Sequence, residues 1–187
     1  MGTSKALLPF GDETMLERVV RLLGTVVSPL VVVAAPGQKL PALPESVIVA
    51  RDEREGQGPL EGLRAGLRAL SPGDDGVDLA YVTGCDAPLL VPAFVERMLA
   101  CLGDSQAAVM EVDGFLHPLS AVYRRSVLPR IDVLIAAGER RLASLFDEVS
   151  TRRVFPEEMA SADPGLRTLR NLNTPQDYQD ALAAAEK

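Results

Sequence analysis

The sequence predicts an α/β fold in which helices cover both faces of a mostly parallel sheet. Two apolar runs carry the prediction, Leu-Val-Val-Val-Ala-Ala at 30–35 and Leu-Ala-Tyr-Val-Thr at 79–83. Neither alternates apolar with polar residues, the mark of a strand buried on both faces. Around them apolar residues recur at helical spacing, so strands and helices alternate along the first half of the chain. The 187 residues suit a single domain, 1–187, with a sizeable core. At 47% apolar and 24% charged residues, the composition is that of a folded chain rather than a disordered one.

Each element has its own signal. Leu16, Val19, Val20 and Leu23 predict an amphipathic helix over 13–23, followed by the strand at 30–35 and a short strand at 47–49. A polar, Gly-containing stretch occupies 51–59. Leu60, Leu63, Leu67 and Leu70 then mark a helix, with Gly62 and Gly66 along its course. The strand at 79–83 precedes a helix that opens at Pro92, a residue suited to a first turn, and carries Phe94, Val95, Met98, Leu99 and Leu102. Strands are expected at 107–112 and 119–123, helices at 126–137 and 140–147, and short strands at 153–155 and 169–172. Thr174 as N-cap, Pro175 at the first position and Asp177 at the third open the last helix.

The net charge of −7 argues against nucleic acid or an anionic membrane surface as partner. A phosphate-bearing ligand would need a local positive feature: a lysine, a helix N-terminus or a metal. Two cysteines, Cys85 and Cys101, build no disulfide framework, and a reducing cytoplasm is the simplest setting. No apolar run reaches the length of a membrane span. A homo-oligomer is left open.

Several residues are candidates for chemistry. Asp86, in Cys85-Asp86-Ala87-Pro88, directly follows a buried strand, where open α/β sheets bind ligands. A carboxylate there can hold Mg²⁺ while phosphates fill other positions, or it can simply cap the following turn. Gly58-Pro59-Leu60-Glu61-Gly62 opens a helix, and its free N–H groups could read a base or bind an anion; an ordinary strand-to-helix loop has the same signature. Asp52 is either an acceptor for a base or ribose or a solvated charge. Lys5 is either a phosphate contact or a surface charge. His117, the only histidine, sits where a turn would enter a strand, and without a second ligand nearby it makes no zinc site. Cys85 reads as packing at a strand end, and Arg140-Arg141 as a solvated helix face.

Taken together, these segments resemble the MobA-like nucleotidyltransferase family. Residues 2–11, Gly-Thr-Ser-Lys-Ala-Leu-Leu-Pro-Phe-Gly, are similar to the second half of that family's N-terminal motif. The 58–62 loop, Gly84-Cys85-Asp86-Ala87-Pro88-Leu89, His117-Pro118-Leu119 and Asn171-Leu172-Asn173-Thr174-Pro175 follow in the family's order. The resemblance implies a Rossmann-like, nucleotidyltransferase-type fold and a molybdenum cofactor guanylyltransferase, which joins GMP from GTP to molybdopterin and releases pyrophosphate. It implies that Lys5 contacts the nucleotide phosphates and that Asp52, Gly58, Pro59, Leu60 and Gly62 hold the nucleotide. Asp86 would bind Mg²⁺ as the cofactor site, with Lys5 and Asp86 the catalytic pair. His117, Asn171 and Asn173 would lie on the acceptor side.

The family's motif begins with a strand and a Leu-Ala-Gly-Gly loop that this sequence does not contain. That strand would lie between the 30–35 and 79–83 strands. The 187 residues are therefore expected to bind GTP weakly and turn over poorly, and an N-terminally extended version to regain both. Two other readings stay open. One is a cytidylyltransferase or a related enzyme acting on another phosphorylated acceptor; the other is a non-catalytic family member.

Overall fold

The computed structural model describes residues 4–51, 58–70 and 78–185. A short 3-10 helix (Lys5–Leu7) leads into a two-stranded hairpin, β1 (Pro9–Phe10) and β2 (Glu13–Thr14). Helix α1 (Met15–Leu23) starts on a reciprocal cap: Thr14 Oγ1 accepts from Glu17 N at 3.3 Å, and Glu17 Oε2 accepts from Thr14 N at 2.7 Å. Two more strands, β3 (Leu30–Ala34) and β4 (Val47–Arg51), pair in parallel. Helix α2 (Pro59–Ala69), β5 (Leu79–Thr83) and α3 (Pro92–Cys101) complete the alternating half.

The second half is denser in strands. β6 (Ala107–Val112) and β7 (Phe115–Arg124) form a hairpin, followed by α4 (Leu128–Ala136), β8 (Thr151–Val154) and α5 (Pro175–Ala185). These strands order as β5-β7-β6-β8. β7 is antiparallel to both of its neighbours and β8 is parallel to β6, so β5, β6 and β8 all run one way. The sheet is thus mixed rather than mostly parallel: three of its four strands run one way, but the reversed strand β7 sits between β5 and β6 and makes two of the three ladders antiparallel.

Burial on both faces explains the absence of alternation. Along β6, Ala107 and Val109 enter a core with α2 and α4, while Ala108 and Met110 enter a second core with α3. Ala121 and Tyr123 of β7 face the first core and Val122 the second. Period-two side chains reach apolar helices either way, so every position favours an apolar residue.

Three local expectations are corrected. β7 begins at Phe115, not Leu119, because Asp113 and Gly114 both take positive φ (50° and 80°), the two-residue turn that joins strands directly. His117 therefore lies inside a strand rather than in a turn. Pro118 is tolerated there because the β6–β7 register shifts between Val109 and Met110 and the β5 ladder stops at Ser120. Residues 142–147 form a 3-10 helix rather than an α-helix, and Arg167–Leu169 form another where a strand over 169–172 was expected.

β3 pairs with β4 and β5 with β7, and no ladder joins β3 to β5 among the described residues. Their C-terminal ends nevertheless share a neighbourhood. Beyond β3, Gln38 Nε2 donates to Ser4 Oγ at 3.4 Å; beyond β5, Asp86 accepts from Lys5. Adjacent residues 4 and 5 bridge the two ends, so β3 and β5 run in the same direction with a gap between them.

Candidate active site

The site forms where β5 runs out. Asp86 sits in the loop after Thr83, with a side chain 20% exposed. A Cβ on Gly84 would collide with Asp86 Oδ1, so glycine there lets the carboxylate fold back over the strand end. Asp86 O accepts from Leu172 N at 2.9 Å, tying this loop to the segment before α5.

Lys5 closes the cluster. Its Nζ donates to Asp86 Oδ2 at 2.9 Å and to Asn173 Oδ1 at 2.7 Å. The sequence separations are 81 and 168 residues, so three distant segments converge on one ammonium. The Lys5 side chain is 34% exposed, placing this charge at a solvent-facing edge where a ligand can reach it. Asn173 is fixed from behind: Asp177 Oδ2 accepts from Asn173 N at 3.0 Å and from Thr174 N at 2.8 Å, while Asp177 N donates to Thr174 Oγ1 at 3.1 Å. The N-cap of α5 thus also orients a residue of the site.

Three residues of the 58–62 loop, Gly58, Pro59 and Gly62, line the gap between β3 and β5. Gly58 takes φ 81°, ψ 177°, a conformation essentially restricted to glycine. It also touches the chain before 142: a Cβ there would stand 2.9 Å from Arg140 Cβ and 3.0 Å from Arg140 O. Pro59 opens α2. Two expectations for this loop change. The Leu60 amide is not free, because it donates to Arg140 O at 3.2 Å. Its side chain is fully buried in the core, so Leu60 shapes the loop from beneath. Gly62 belongs to the first turns of α2 and reaches the cavity from there. Asp52 lies outside the described residues.

The remaining candidates divide. His117 sits on β7 opposite Met110, and burial pushes its imidazole pKa down; among the described residues no hydrogen bond or ion pair joins it to the Lys5 cluster. Asn171 is exposed, and its amide donates to Leu169 O. Of the three acceptor-side residues, only Asn173 is therefore brought to Lys5. The Cys85 thiol is pushed up by burial and by the neighbouring Asp86, as expected for packing rather than nucleophilic attack.

Two features were missed by sequence reasoning. Arg140, read as a solvated helix face because a helix was expected over 140–147, lies in the loop between α4 and the 3-10 helix that starts at Leu142, and its backbone abuts Gly58 and Leu60. Glu139 organises that loop. It accepts from the Arg140 and Arg141 amides, the Arg141 guanidinium and Ser144 Oγ, and Arg141 above all holds its carboxyl well below the usual range. Glu61 is buried against Arg64, with Oε2 unpartnered; nothing in a Pro-Leu-Glu-Gly string announces a buried carboxylate.

A lysine and a carboxylate beyond the carboxyl end of a strand, in an α/β fold with a glycine-shaped helix start after another, is the arrangement of α/β proteins that bind ligands at strand ends. Comparison with known proteins makes the class specific. The family model for the MobA-like NTP transferase domain matches residues 1–154. A relative from Mycobacterium bovis (strain BCG / Pasteur 1173P2), named "Probable molybdenum cofactor guanylyltransferase", is 40% identical over 177 residues, covering 93% of this chain and 83% of its own. A Mycobacterium marinum relative of the same name is 37% identical over 180 residues, covering 95% and 84%. The chain belongs to the MobA-like NTP transferase family. Among solved structures, molybdopterin-guanine dinucleotide biosynthesis protein A from Archaeoglobus fulgidus superposes with a TM-score of 0.80 at 19% identity, covering 99% of this chain and 92% of its own. The 2-C-methyl-D-erythritol 4-phosphate cytidylyltransferase from Thermus thermophilus gives 0.74, also at 19% identity, covering 100% and 95%. These two likenesses speak to the fold.

Proposed function

We propose that this protein is a molybdenum cofactor guanylyltransferase, transferring GMP from GTP to the phosphate of molybdopterin with release of pyrophosphate. The observation that carries the reading is Lys5 Nζ, held between Asp86 and Asn173 beyond the end of β5. In this reaction a phosphate oxygen of the acceptor attacks the α-phosphorus of GTP, and the bond to the pyrophosphate oxygen breaks. Such a transfer needs positioning and charge neutralisation more than a protein nucleophile. Lys5 supplies a positive charge for phosphate oxygens, and Asn173 and Asp86 aim it. The loop at Gly58, Pro59 and Gly62 gives a ligand close access to the backbone.

Among the described residues no group of three or more His, Cys, Asp or Glu gathers as a metal cage. Mg²⁺ does not require one; it is commonly held by one or two carboxylates with waters and substrate phosphates. A single, partly exposed Asp86 fits that donor set, and Mg²⁺ bound there would neutralise phosphate charge. Asn171, His117 and Asp52 keep their proposed acceptor-side and nucleotide roles. A cytoplasmic setting is part of the same proposal; among the described residues no helix is long and apolar enough to cross a membrane.

The test is a transfer assay with molybdopterin and Mg²⁺, given GTP or CTP, reading pyrophosphate and the dinucleotide product by mass spectrometry. The expected result is a guanine dinucleotide, even at slow turnover. A cytosine product alone would point to a cytidylyltransferase, and no product from either nucleotide to a non-catalytic member.

A further inference from the structure

Two carboxylates are buried among the described residues, Glu61 and Asp163. Glu61 has Arg64 beside it, whereas Asp163 collects its donors from the turn that follows it. Three successive amides converge there: Leu166 N donates to Asp163 O at 2.9 Å, Arg167 N to Oδ1 at 3.0 Å and Thr168 N to Oδ2 at 2.9 Å. Thr168 Oγ1 donates to the same Oδ2 at 2.8 Å. The turn they enclose is strained. Leu166 takes φ 45°, ψ 41°, the left-handed region that a leucine rarely occupies. Strain of this kind persists where surrounding bonds over-determine it, and it gathers at functional sites.

The hydroxyl fixed in this way has a second partner. A threonine hydroxyl carries one proton, and Asp163 takes it, which leaves Thr168 Oγ1 to accept from Val91 N at 3.1 Å. Val91 closes the loop that carries Asp86 and is the N-cap of α3, where its own side chain makes no capping bond. The other end of that loop is tied to the same segment, Leu172 N donating to Asp86 O at 2.9 Å. Residues 86–91 are thus held at both ends by residues 168–172, and the next residue along is Asn173, the second acceptor for Lys5 Nζ. Between the ties Ala87, Leu89 and Leu90 are buried, so close packing leaves the loop little room to adjust by itself.

We infer that Asp163 is a positioning residue for the Lys5 cluster: by fixing the Thr168 hydroxyl it sets Asp86 and Asn173 in their places around Lys5 Nζ. Being buried, it would touch no ligand itself. A carboxylate is costly to bury. What it adds here is direction, since without it the Thr168 hydroxyl is free to turn away from Val91. The consequence for Mg²⁺ rests on the function proposed above; the consequence for the Lys5 contacts does not.

The test follows the Asn173 side-chain amide by NMR in the isotope-labelled full chain, with two readouts. The first is the position of those signals relative to Lys5→Met, in which the contact to Lys5 is gone. The second is the concentration of Mn²⁺, a paramagnetic stand-in for Mg²⁺, that broadens them half-maximally. Thr168→Val keeps the shape without the hydroxyl, and Thr168→Ser keeps the hydroxyl. Ile131→Val, in the core between the sheet and α4, controls for lost stability alone. In Thr168→Val the Asn173 signals are expected to move toward their Lys5→Met positions and the Mn²⁺ midpoint to rise roughly tenfold, with Thr168→Ser staying within about twofold of the unsubstituted protein. Ile131→Val is expected to move neither. Signals and midpoint unmoved in Thr168→Val, or moved alike by Ile131→Val, would overturn the inference. Should Thr168→Val not fold, Asp163→Asn carries the same test, because its side-chain N–H group then faces a donor that the carboxylate now accepts from. If Mn²⁺ broadens nothing in the unsubstituted protein, the metal reading of Asp86 fails, and the first readout alone decides the positioning role.

Discussion

Lys5 is held by a carboxylate on one side and an amide oxygen on the other, and this makes the roles of the three residues separable by substitution. Replacing Asp86 with Ala removes a partly exposed charge from a loop, and such pairs contribute only about 0–1 kcal/mol to folding. The expected outcome is a thermal midpoint shifted by a few degrees at most, with transfer at saturating Mg²⁺ reduced roughly a hundredfold or more. Near-normal turnover in Asp86→Ala would reduce the residue to a turn cap. Lys5 and Asp86 were brought together in the sequence only by the family resemblance; taken alone, the lysine reads as readily as a surface charge and the acid after a buried run as a turn cap. The convergence of Asn173 on Lys5 was not legible, since pairing across 168 residues depends on the whole fold. Leu60 was misread for a similar reason. Its amide is consumed by Arg140 O, a backbone bond that leaves no trace in side-chain identity.

The elements most exposed to acid are those capped by carboxylates. Asp177 accepts from the Thr174 amide first, then the Thr174 hydroxyl and the Asn173 amide, and these bonds hold its pKa below the ordinary 3.8. A group lowered on folding contributes stability that is present above its unfolded pKa and is lost as pH falls through the folded one. The start of α5 is therefore expected to loosen as pH falls below the ordinary 3.8, releasing Asn173 with it. Measured by NMR, the Asn173 side-chain signals should shift along the same titration as the Asp177 carboxyl, and in Asp177→Asn that coupled shift should disappear. Independent titration of the two would break the link between cap and site. The cap itself was readable, because Thr-Pro-x-Asp is a local signature acting within one turn. The long buried runs were equally readable, with 79–83 and 107–112 observed at their expected bounds. What failed were short pieces where tertiary context rules: the 3-10 helix at Leu142–Asp147, packed under Tyr123 through Phe146, and the early start of β7.

At the scale of the molecule, an interrupted sheet means that backbone pairing does not transmit stability from one side to the other. β3 and β4 form one hydrogen-bonded unit and β5 to β8 another. The principal bridge between them is α2, which packs on β3, on β4 and on α4. Cooperative unfolding requires that no part melt without the rest, and here the coupling rests on packing along α2, on the contact of α1 with α3 and on the bridge of Ser4 and Lys5 rather than on a continuous ladder. The protein contains no tryptophan, and two of its three tyrosines, Tyr81 and Tyr123, belong to the four-stranded sheet. Near-ultraviolet circular dichroism thus reports mainly on that unit, while the far-ultraviolet signal reports on both. In a urea titration the far-ultraviolet curve is expected to fall first, as α1, α2, β3 and β4 come apart, and the tyrosine signal to follow at higher denaturant. Superimposable curves, with a calorimetric enthalpy equal to the van't Hoff value, would mean that packing without a shared ladder suffices to make the two units melt as one.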